Sequence, residues 1–311
     1  MAQEPKIESK NFLVLLIAVI MWGSTFPAIK IALGDIEPIT LGLFRAIFGF
    51  LPIAVFTLWK FGWNSTLKPA KNDLLILVGI ALTQFYLPLV SQNVGMTLMD
   101  PETAASMSSL LQATAPIFTI FLSAIFLGEY IGVKKAFGTA LALSGTVMLI
   151  TRGGVVLRGT TLFGNLMLLG SAIFYAVSGL LVKKALRSYN PLSILSVSLF
   201  VSVILFLPTT FLLEDTTHIV GISSSSWLLA IYLGLFANGI VLILWYYILR
   251  TKELSKQILF VYLIPFFGII FSYLFADEII TIQTFIFGAV ILIGITIAQY
   301  EKKSESGKKV D

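Results

Sequence analysis

Residues 21–30 read MWGSTFPAIK and stand inside an apolar run, with NFLVLLIAVI before them and IAL after. Gly, Ser, Thr and Pro crowd into a turn and a half of helix, and Lys30 follows, so the fold depends on the setting in which such a helix is tolerated. The rest of the chain leaves one setting. Of 311 residues, 57% are hydrophobic and 12% charged, mean hydropathy is +0.95 and there is no cysteine, whereas a soluble domain carries roughly 25% charged residues. This is the composition of a membrane protein. A hydrocarbon core of about 30 Å needs about 20 apolar residues per helix. Polar breaks leave ten segments of that kind, at 12–33, 39–60, 74–96, 103–127, 133–151, 161–182, 191–213, 227–249, 255–275 and 281–300. Their continuous Leu, Ile and Phe runs argue against the short alternating strands of a β-barrel. The absence of cysteine excludes disulfides and thiolate metal sites, and neither a metal nor a cofactor is expected.

The flank of the first segment mixes Lys6 and Lys10 with Glu4 and Glu8. No small-residue cleavage site follows the run, so it reads as a retained helix rather than a signal peptide. A cytoplasmic amino terminus places 17 of the 21 Lys and Arg on the inner side. Arg152 and Arg158 fall outside, Lys30 near the outer end of the first helix and Arg45 within the second. The positive-inside rule then puts both termini in the cytoplasm of a plasma-membrane protein. The net charge of +5 needs no nucleic acid to explain it, and the tail KKSESGKKVD is a solvated, lipid-facing end.

Internal repeats carry more than any single motif. Lys30, Ala32, Leu33 and Pro38 recur 153 residues later as Lys183, Ala185, Leu186 and Pro191. Pro116 and the turn LGEYI recur about 149 residues later as Pro265 and ADEII. Each half then holds five helices, and an odd number inverts the second half in the bilayer. The expected fold is an all-α polytopic membrane protein with ten transmembrane helices as two inverted five-helix repeats around a central cavity. Inverted repeats of this kind are a signature of alternating-access transporters, whose substrate site lies near the midplane where the halves meet.

IMWGSTFPAIK in helix 1, PITLGLFR in helix 2, GMTLMDPETAASMSSLLQATAPIFTIFLSAIFLGE across helices 3 and 4, and FGTALALSGTVML in helix 5 resemble an EamA domain. The stretch LWYYILRTKELSKQILFVYLIPFFGIIFSYLFADE resembles its second copy. The family belongs to the drug/metabolite transporter superfamily, and the resemblance runs from Asn11 to Tyr300. It implies a cytoplasmic tail at 1–10, a first EamA-like repeat at 11–151 (helices 1–5), an outer linker at 152–160, a second repeat at 161–300 (helices 6–10) and a basic cytoplasmic tail at 301–311. It also implies metabolite transport, often export of amino acids and related small molecules. Two departures make the halves unequal: Asp277 replaces the glycine of the LGE turn, and Ser198 stands where the repeat places Arg45.

Residues at i, i+3, i+4 and i+7 of a helix share a face. Helix 1 puts Trp22 and Thr25 on one stripe, and the 153-residue offset places Tyr175 and Ser178 at the same points of helix 6. Helix 4 supplies Ser109 and Gln112, and helix 9 returns Tyr262. Helix 3 supplies Gln84, flanked by Tyr86 and Gln92, and helix 8 supplies Asn238 and Trp245. The expected substrate-binding set is thus Trp22, Thr25, Gln84, Tyr86, Ser109, Gln112, Tyr175, Ser178, Asn238, Trp245 and Tyr262. The use of the same residue types as interhelical hydrogen bonds stands beside that reading. Gly23, Pro27, Pro88, Pro116 and Pro265 are the expected helix hinges. At the opening stretch, helix 1 is expected to thin and bend at Pro27 and to show carbonyls and hydroxyls to a water-filled cavity, with Lys30 snorkelling outward. Gly138, Gly145, Gly288 and Gly294 read as helix-packing positions. Arg45 lies inside a helix with no acid on its own turn, where an arginine costs about 2.5–3.5 kcal/mol at bilayer centre. It serves either as a structural anchor or as a contact for a substrate carboxylate.

Enzyme readings lack their parts. His218 is the sole histidine and lies in an expected outer loop, and no two carboxylates share mid-membrane depth, whereas intramembrane hydrolysis needs such a constellation. Asp35, Glu102, Glu129, Glu214 and Glu278 all fall at helix ends or loops. A channel would show a charged ring or a carbonyl filter. The expected function is alternating-access export or exchange of small neutral or zwitterionic metabolites such as amino acids. An organic phosphate or nucleotide-sugar exchanger is the alternative, but such anions call for several pocket cations and only Arg45 qualifies. The expected partners are the solute and the lipid bilayer, with no nucleic acid and no obligate protein partner.

Overall fold

The computed structural model describes residues 9–127, 131–151, 159–251 and 263–299. Among them every regular element is helical. α1 is Ser9–Ala32. The next hydrogen-bonded run, Pro38–Ile80, leaves helical geometry at Gly62 (φ 69°, ψ 172°) and at Asp73 (φ −138°, ψ 44°). It therefore divides into α2 (38–61), a connecting segment and the start of α3 (74–97), which continues through a π-helical turn, Ala81–Tyr86, into Leu87–Thr97. The positive φ at Gly62 is one that glycine adopts without steric cost. α4 (104–127) consists of Ala104–Gln112 and Ala115–Leu127 with a tight turn between them. α5 is Val133–Thr151, α6 Gly159–Ala185 and α7 Pro191–Leu213. α8 (224–251) comprises Ser224–Ile231, a π-helical segment Tyr232–Ile240 and Val241–Thr251. α9 is Leu263–Phe275 and α10 Ile282–Gln299.

Among the described residues, seven helical stretches are long and apolar enough to cross a membrane, and Leu263–Phe275 and Ile282–Ala298 are shorter apolar helices. One of the seven, Pro38–Thr97, has 60 residues, about 90 Å at the helical rise of 1.5 Å per residue. It doubles back at Gly62 and Asp73, because Gln92 and Asn93 of α3 bond to Arg45 and Pro38 of α2. The outer surface carries large apolar side chains, among them Val55, Trp59, Leu75, Ile125 and Leu212. Soluble monomers rarely expose such a surface, and it suits lipid.

The two prolines of the repeat, Pro38 and Pro191, each open a helix, where a missing N–H breaks no bond. Asn190 accepts from the Leu192 N–H at 2.9 Å to cap α7. Two other helix starts are capped from far away in the chain. Glu214 accepts from the Ile39 and Thr40 N–H groups at 2.6 and 2.7 Å, and Glu278 from Ala105 and Ser106 at 2.6 and 2.8 Å. Asp35 accepts from the hydroxyls of Ser223 and Ser226, bonds that hold its carboxyl below the usual range. Ile279 N–H donates to the Glu102 carbonyl at 3.1 Å. The turns after α1, α3, α7 and α9 thus meet at one end. At the other end, the Tyr189 hydroxyl donates to Asp73 and the Ser193 hydroxyl to the Ser65 carbonyl. In the turn after α9, Asp277 has φ 51°, a left-handed conformation that aspartate tolerates better than most side chains. That is why it can stand where the motif has glycine.

α2 packs along α7, α5 along α10, α1 against α9 and α3 against α6. The α5–α10 seam is backbone on backbone: a Cβ at Gly138 would lie 2.3 Å from Ala298 N, and one at Gly294 would lie 2.4 Å from Ala142 N. Gly145 meets Ile291 of α10, and Gly288 faces Leu110 of α4.

α1 is one continuous helix from Ser9 to Ala32, with Pro27 inside it. Residues 25–29 are buried, and a Cβ on Gly23 would lie 2.5 Å from Phe267 Cβ and 3.1 Å from both Gly268 N and Ile264 O. Gly23 therefore seats α1 against the backbone of α9.

Candidate functional site

Close backbone approach between α2 and α8 brings the interior polar groups together. A Cβ on Gly234 would fall 2.9 Å from the Arg45 carbonyl, and one on Gly49 would fall 3.1 Å from the Gly234 carbonyl. That contact sets Asn238 beside Arg45, which is 3% exposed. Arg45 Nη2 donates to Asn238 Oδ1 at 3.4 Å and Nη1 to Gln92 Oε1 at 3.5 Å, both longer than the usual 2.7–3.2 Å or so. Arg45 Nε and Asn238 Nδ2 find no acceptor. Tyr175 of α6 lies within electrostatic reach of the guanidinium. Among the described residues no carboxylate pairs with Arg45.

The π-helical segment of α8 supplies the neighbouring contact. Val241 N–H donates to Phe236 O, five residues back, so the Ala237 carbonyl loses its usual i+4 donor. The Trp22 indole N–H fills that place at 3.4 Å. The Trp22 ring meets Trp245 edge-on at 5.4 Å and 69°. In α3 the Leu87 N–H reaches Leu82 O and Pro88 has no N–H, so the Thr83 carbonyl lacks both its i+4 and i+5 donors. Both segments occupy matching places in the two halves, since the 153-residue offset carries Ala81–Tyr86 into Tyr232–Ile240. π-Bulges are frequent at functional sites.

The remaining expected residues divide. Gln84 accepts from Ser178 at 2.6 Å, and Gln112 donates to Ser171 at 3.1 Å, joining α3 and α4 to α6. Trp22 meets Trp245, whereas Tyr175, its counterpart through the 153-residue offset, lies near Arg45. Three residues make packing or local contacts. Tyr86 sits edge-on to Phe206 at 4.9 Å in an apolar cluster with Leu43 and Leu89. Ser109 is 1% exposed, donates to the Ser106 carbonyl and abuts Gly268. Thr25, 6% exposed, donates to the Trp22 carbonyl of its own helix. The Ser109 and Thr25 hydroxyls thus donate within their own helices, and the Tyr86 ring packs on a neighbour. Tyr262 lies outside the described residues. Of the hinges, Pro88 follows the π turn of α3 and Pro116 follows the break in α4, while Pro265 is buried near the start of α9.

Lys30 does not snorkel. Its Nζ lies 3.2 Å from Glu278 Oε1 and donates to the Ala276 carbonyl at 2.8 Å. Sequence reading also passed over Tyr232, whose hydroxyl meets Ser24 at 2.6 Å, and gave Gln92 no role. The signal for Gln92 was an amide eight residues after Gln84, two helical turns on and near the same face.

These observations define a helical, multi-pass membrane protein with a polar interior built from both halves of the chain. The model of the EamA-like transporter family matches residues 9–151 and again 162–299, and the chain belongs to that family. An uncharacterized transporter of Archaeoglobus fulgidus is 24% identical over 290 residues, covering 93% of this chain and 97% of that protein. A probable terminal-alkyne amino-acid exporter of Streptantibioticus cattleyicolor is 25% identical, with 93% of each chain covered. A probable amino-acid metabolite efflux pump of Escherichia coli is 25% identical, covering 97% of this chain and 98% of that protein. A solved crystal structure aligns with a TM-score of 0.68 at 18% identity, covering 95% of this chain and 99% of its own, a likeness of fold.

Proposed function

We propose that this chain is an alternating-access carrier that exports or exchanges small neutral or zwitterionic metabolites such as amino acids. In this reading ten crossings form two inverted five-helix repeats in the plasma membrane, with both termini cytoplasmic. The observation that carries it is the cluster where α1, α2, α3, α6 and α8 converge. There Arg45, Gln92, Asn238, Trp22 and Trp245 come from both halves, and buried donors are left without acceptors. A buried group kept polar and unsatisfied is expensive, and a solute that completes its bonds gives the expense a use. Matching π-helical segments give each half a place to flex, as rocking of one repeat against the other requires. The names of two relatives, an amino-acid exporter and an amino-acid metabolite efflux pump, support the substrate class.

Proteoliposomes loaded with labelled amino acids test the reading. Saturable efflux, accelerated by unlabelled solute on the opposite side, is expected, and an ohmic current in place of saturable flux overturns it in favour of a channel. Trp22→Ala raises the half-saturating concentration about tenfold, the equivalent of about 1.4 kcal/mol, because the solute loses an aromatic wall beside Ala237. Unchanged transport by a well-folded Trp22→Ala protein would make this ring a packing element.

Topology is a separate test, and the lack of native cysteine makes it clean. Asn64 and Asp215 are exposed and lie at opposite ends of the helices. Single cysteines there react with an impermeant maleimide from opposite sides of sealed cells, Asp215→Cys from outside. Labelling of both from one side would refute the ten-crossing arrangement.

A further inference from the structure

We infer that Arg45 reads a carboxylate, so that the interior site recognises its solutes by that group; the inference rests on the transport reading above and gives it a chemical handle. Arginine remains charged in any protein environment and presents five donors and no acceptor. Ionisable side chains within membrane-spanning helices are rare and mark substrate or ion pathways. At 3% exposure Arg45 has no water-facing escape.

A structural anchor would be expected to spend its donors on short bonds to carbonyls or on an acid. Here both partners are neutral amide oxygens at 3.4 and 3.5 Å, against roughly 2.7–2.9 Å for a charge-assisted bond to an oxyanion. These two contacts hold the guanidinium by its Nη atoms and leave the Nε–H unpaired. The Asn238 Nδ2 donors, on the residue that takes one of those bonds, are also unpaired. Buried donors from two helices thus share one neighbourhood and lack one kind of partner, an anionic acceptor. A carboxylate matches a guanidinium edge with two parallel bonds. Its single negative charge also matches the single cation, whereas a phosphate monoester carries about −1.5 to −2.

The equivalent place in the other half has no such chemistry. Through the 153-residue offset, Arg45, Gln92 and Tyr175 correspond to Ser198, Trp245 and Trp22, and Asn238 corresponds to Phe85. Ser198 is fully buried with its hydroxyl on the Leu77 carbonyl at 3.4 Å, and Trp22, Trp245 and Phe85 share an apolar cluster. A residue needed only to hold the fold would be wanted in both halves; the cation stands in one. The two regions adjoin on α8, where Ala237 takes the Trp22 bond and Asn238 the Arg45 bond. A solute held by its carboxylate therefore extends toward the indoles.

The test uses the purified full-length chain in lipid nanodiscs. Thermal shift and tryptophan fluorescence are read against the proteinogenic amino acids, their amides, their decarboxylated amines, and straight and branched monocarboxylates from acetate to 4-methylpentanoate. At least one acid binds at least tenfold tighter than its amide and its amine. Arg45→Gln abolishes that preference, and Arg45→Lys, which keeps the charge but not the two-pronged edge, retains part of it. The wild-type comparison of acid with amide needs no variant, so a misfolded Arg45→Gln protein leaves the inference exposed to refutation. Amides or amines binding as well as acids, no acid in the set binding, or a folded Arg45→Gln protein keeping the preference would each overturn it. Flux separates it from the transport reading: amines carried in place of acids refute the carboxylate site alone, while acids bound yet no solute carried refutes transport alone.

Discussion

Leucine in place of Gly138 abolishes the folded protein. A Cβ at this position lies 2.3 Å from Ala298 N, 2.5 Å from Gly294 O and 2.7 Å from Ala298 Cα, all of them backbone atoms of α10 that no rotamer change can move. The only relief is to part α5 from α10. Parting them removes the reciprocal contact at Gly294, whose neighbours are Ala142 N and Gly138 O. Small residues let membrane helices approach closely enough for dispersion contacts to hold them, so a wedge here forfeits the whole seam. Overpacking in a rigid place costs about 1–3 kcal/mol where side chains can adjust; here the cost exceeds about 4 kcal/mol, the range of the exceptional substitutions. The measurement is the yield of monodisperse protein by size exclusion, with its thermal midpoint. Gly170→Ala is the control, because nothing lies within 4 Å of its added Cβ, and it leaves both quantities unchanged or slightly raised. A Gly138→Leu protein with normal yield and midpoint would refute the seam.

Glu278→Ala has the second-largest effect, a loss of about 3–5 kcal/mol, the range for removing one partner of a buried ion pair. Its side chain is fully buried and faces Lys30, whose side chain is 21% exposed, which points to the lower end of that range. The carboxylate also takes two of the buried, otherwise free N–H groups at the start of α4, where negative charge is favoured by the helix dipole. Its loss strands a cation and two amides together. Lys30→Ala alone is milder, since the cap survives. In the double variant the two losses add to less than their sum, by more than about 0.5 kcal/mol, as expected for residues in contact. Strict additivity of the thermal shifts would show that Lys30 and Glu278 do not interact.

Helix positions were largely legible in the residues. The segments expected at 39–60 and 74–96 correspond to α2 at 38–61 and α3 at 74–97, because bilayer thickness sets length and because a proline or glycine marks where a run opens or breaks. The packing role of Gly138 and Gly294 was readable for a similar reason: a missing side chain in an apolar helix has few other uses. Which residue faces which neighbour was less legible. Stripes drawn at 3.6 residues per turn assume an unbroken α-helix, and both α3 and α8 contain π-helical turns that shift the phase. Hence Tyr86 turns toward Phe206 while Gln84 reaches Ser178, and Asn238 and Trp245, read as one stripe, contact Arg45 and Trp22 on different helices. Lys30 was misread because its partner is 248 residues away in sequence, beyond the reach of any local pattern. The seat of Gly23 against α9 was hidden likewise, since its neighbours Ile264, Phe267 and Gly268 lie in the other half of the chain.

The unequal pair of positions, Arg45 in one half and Ser198 in the other, also bears on how such a chain can have arisen. The family model matches twice along one polypeptide, so a half-length gene could have encoded the scaffold as two identical subunits. Every substitution in that gene would have appeared twice in the assembly. Two buried guanidiniums would then have shared one interior without a counter-charge, each raising the cost of the other. Joining the copies end to end removes that constraint, because a codon can then change in one half and not the other. A buried cation in one half alone needs two independent codons, which the fused gene supplies within one chain.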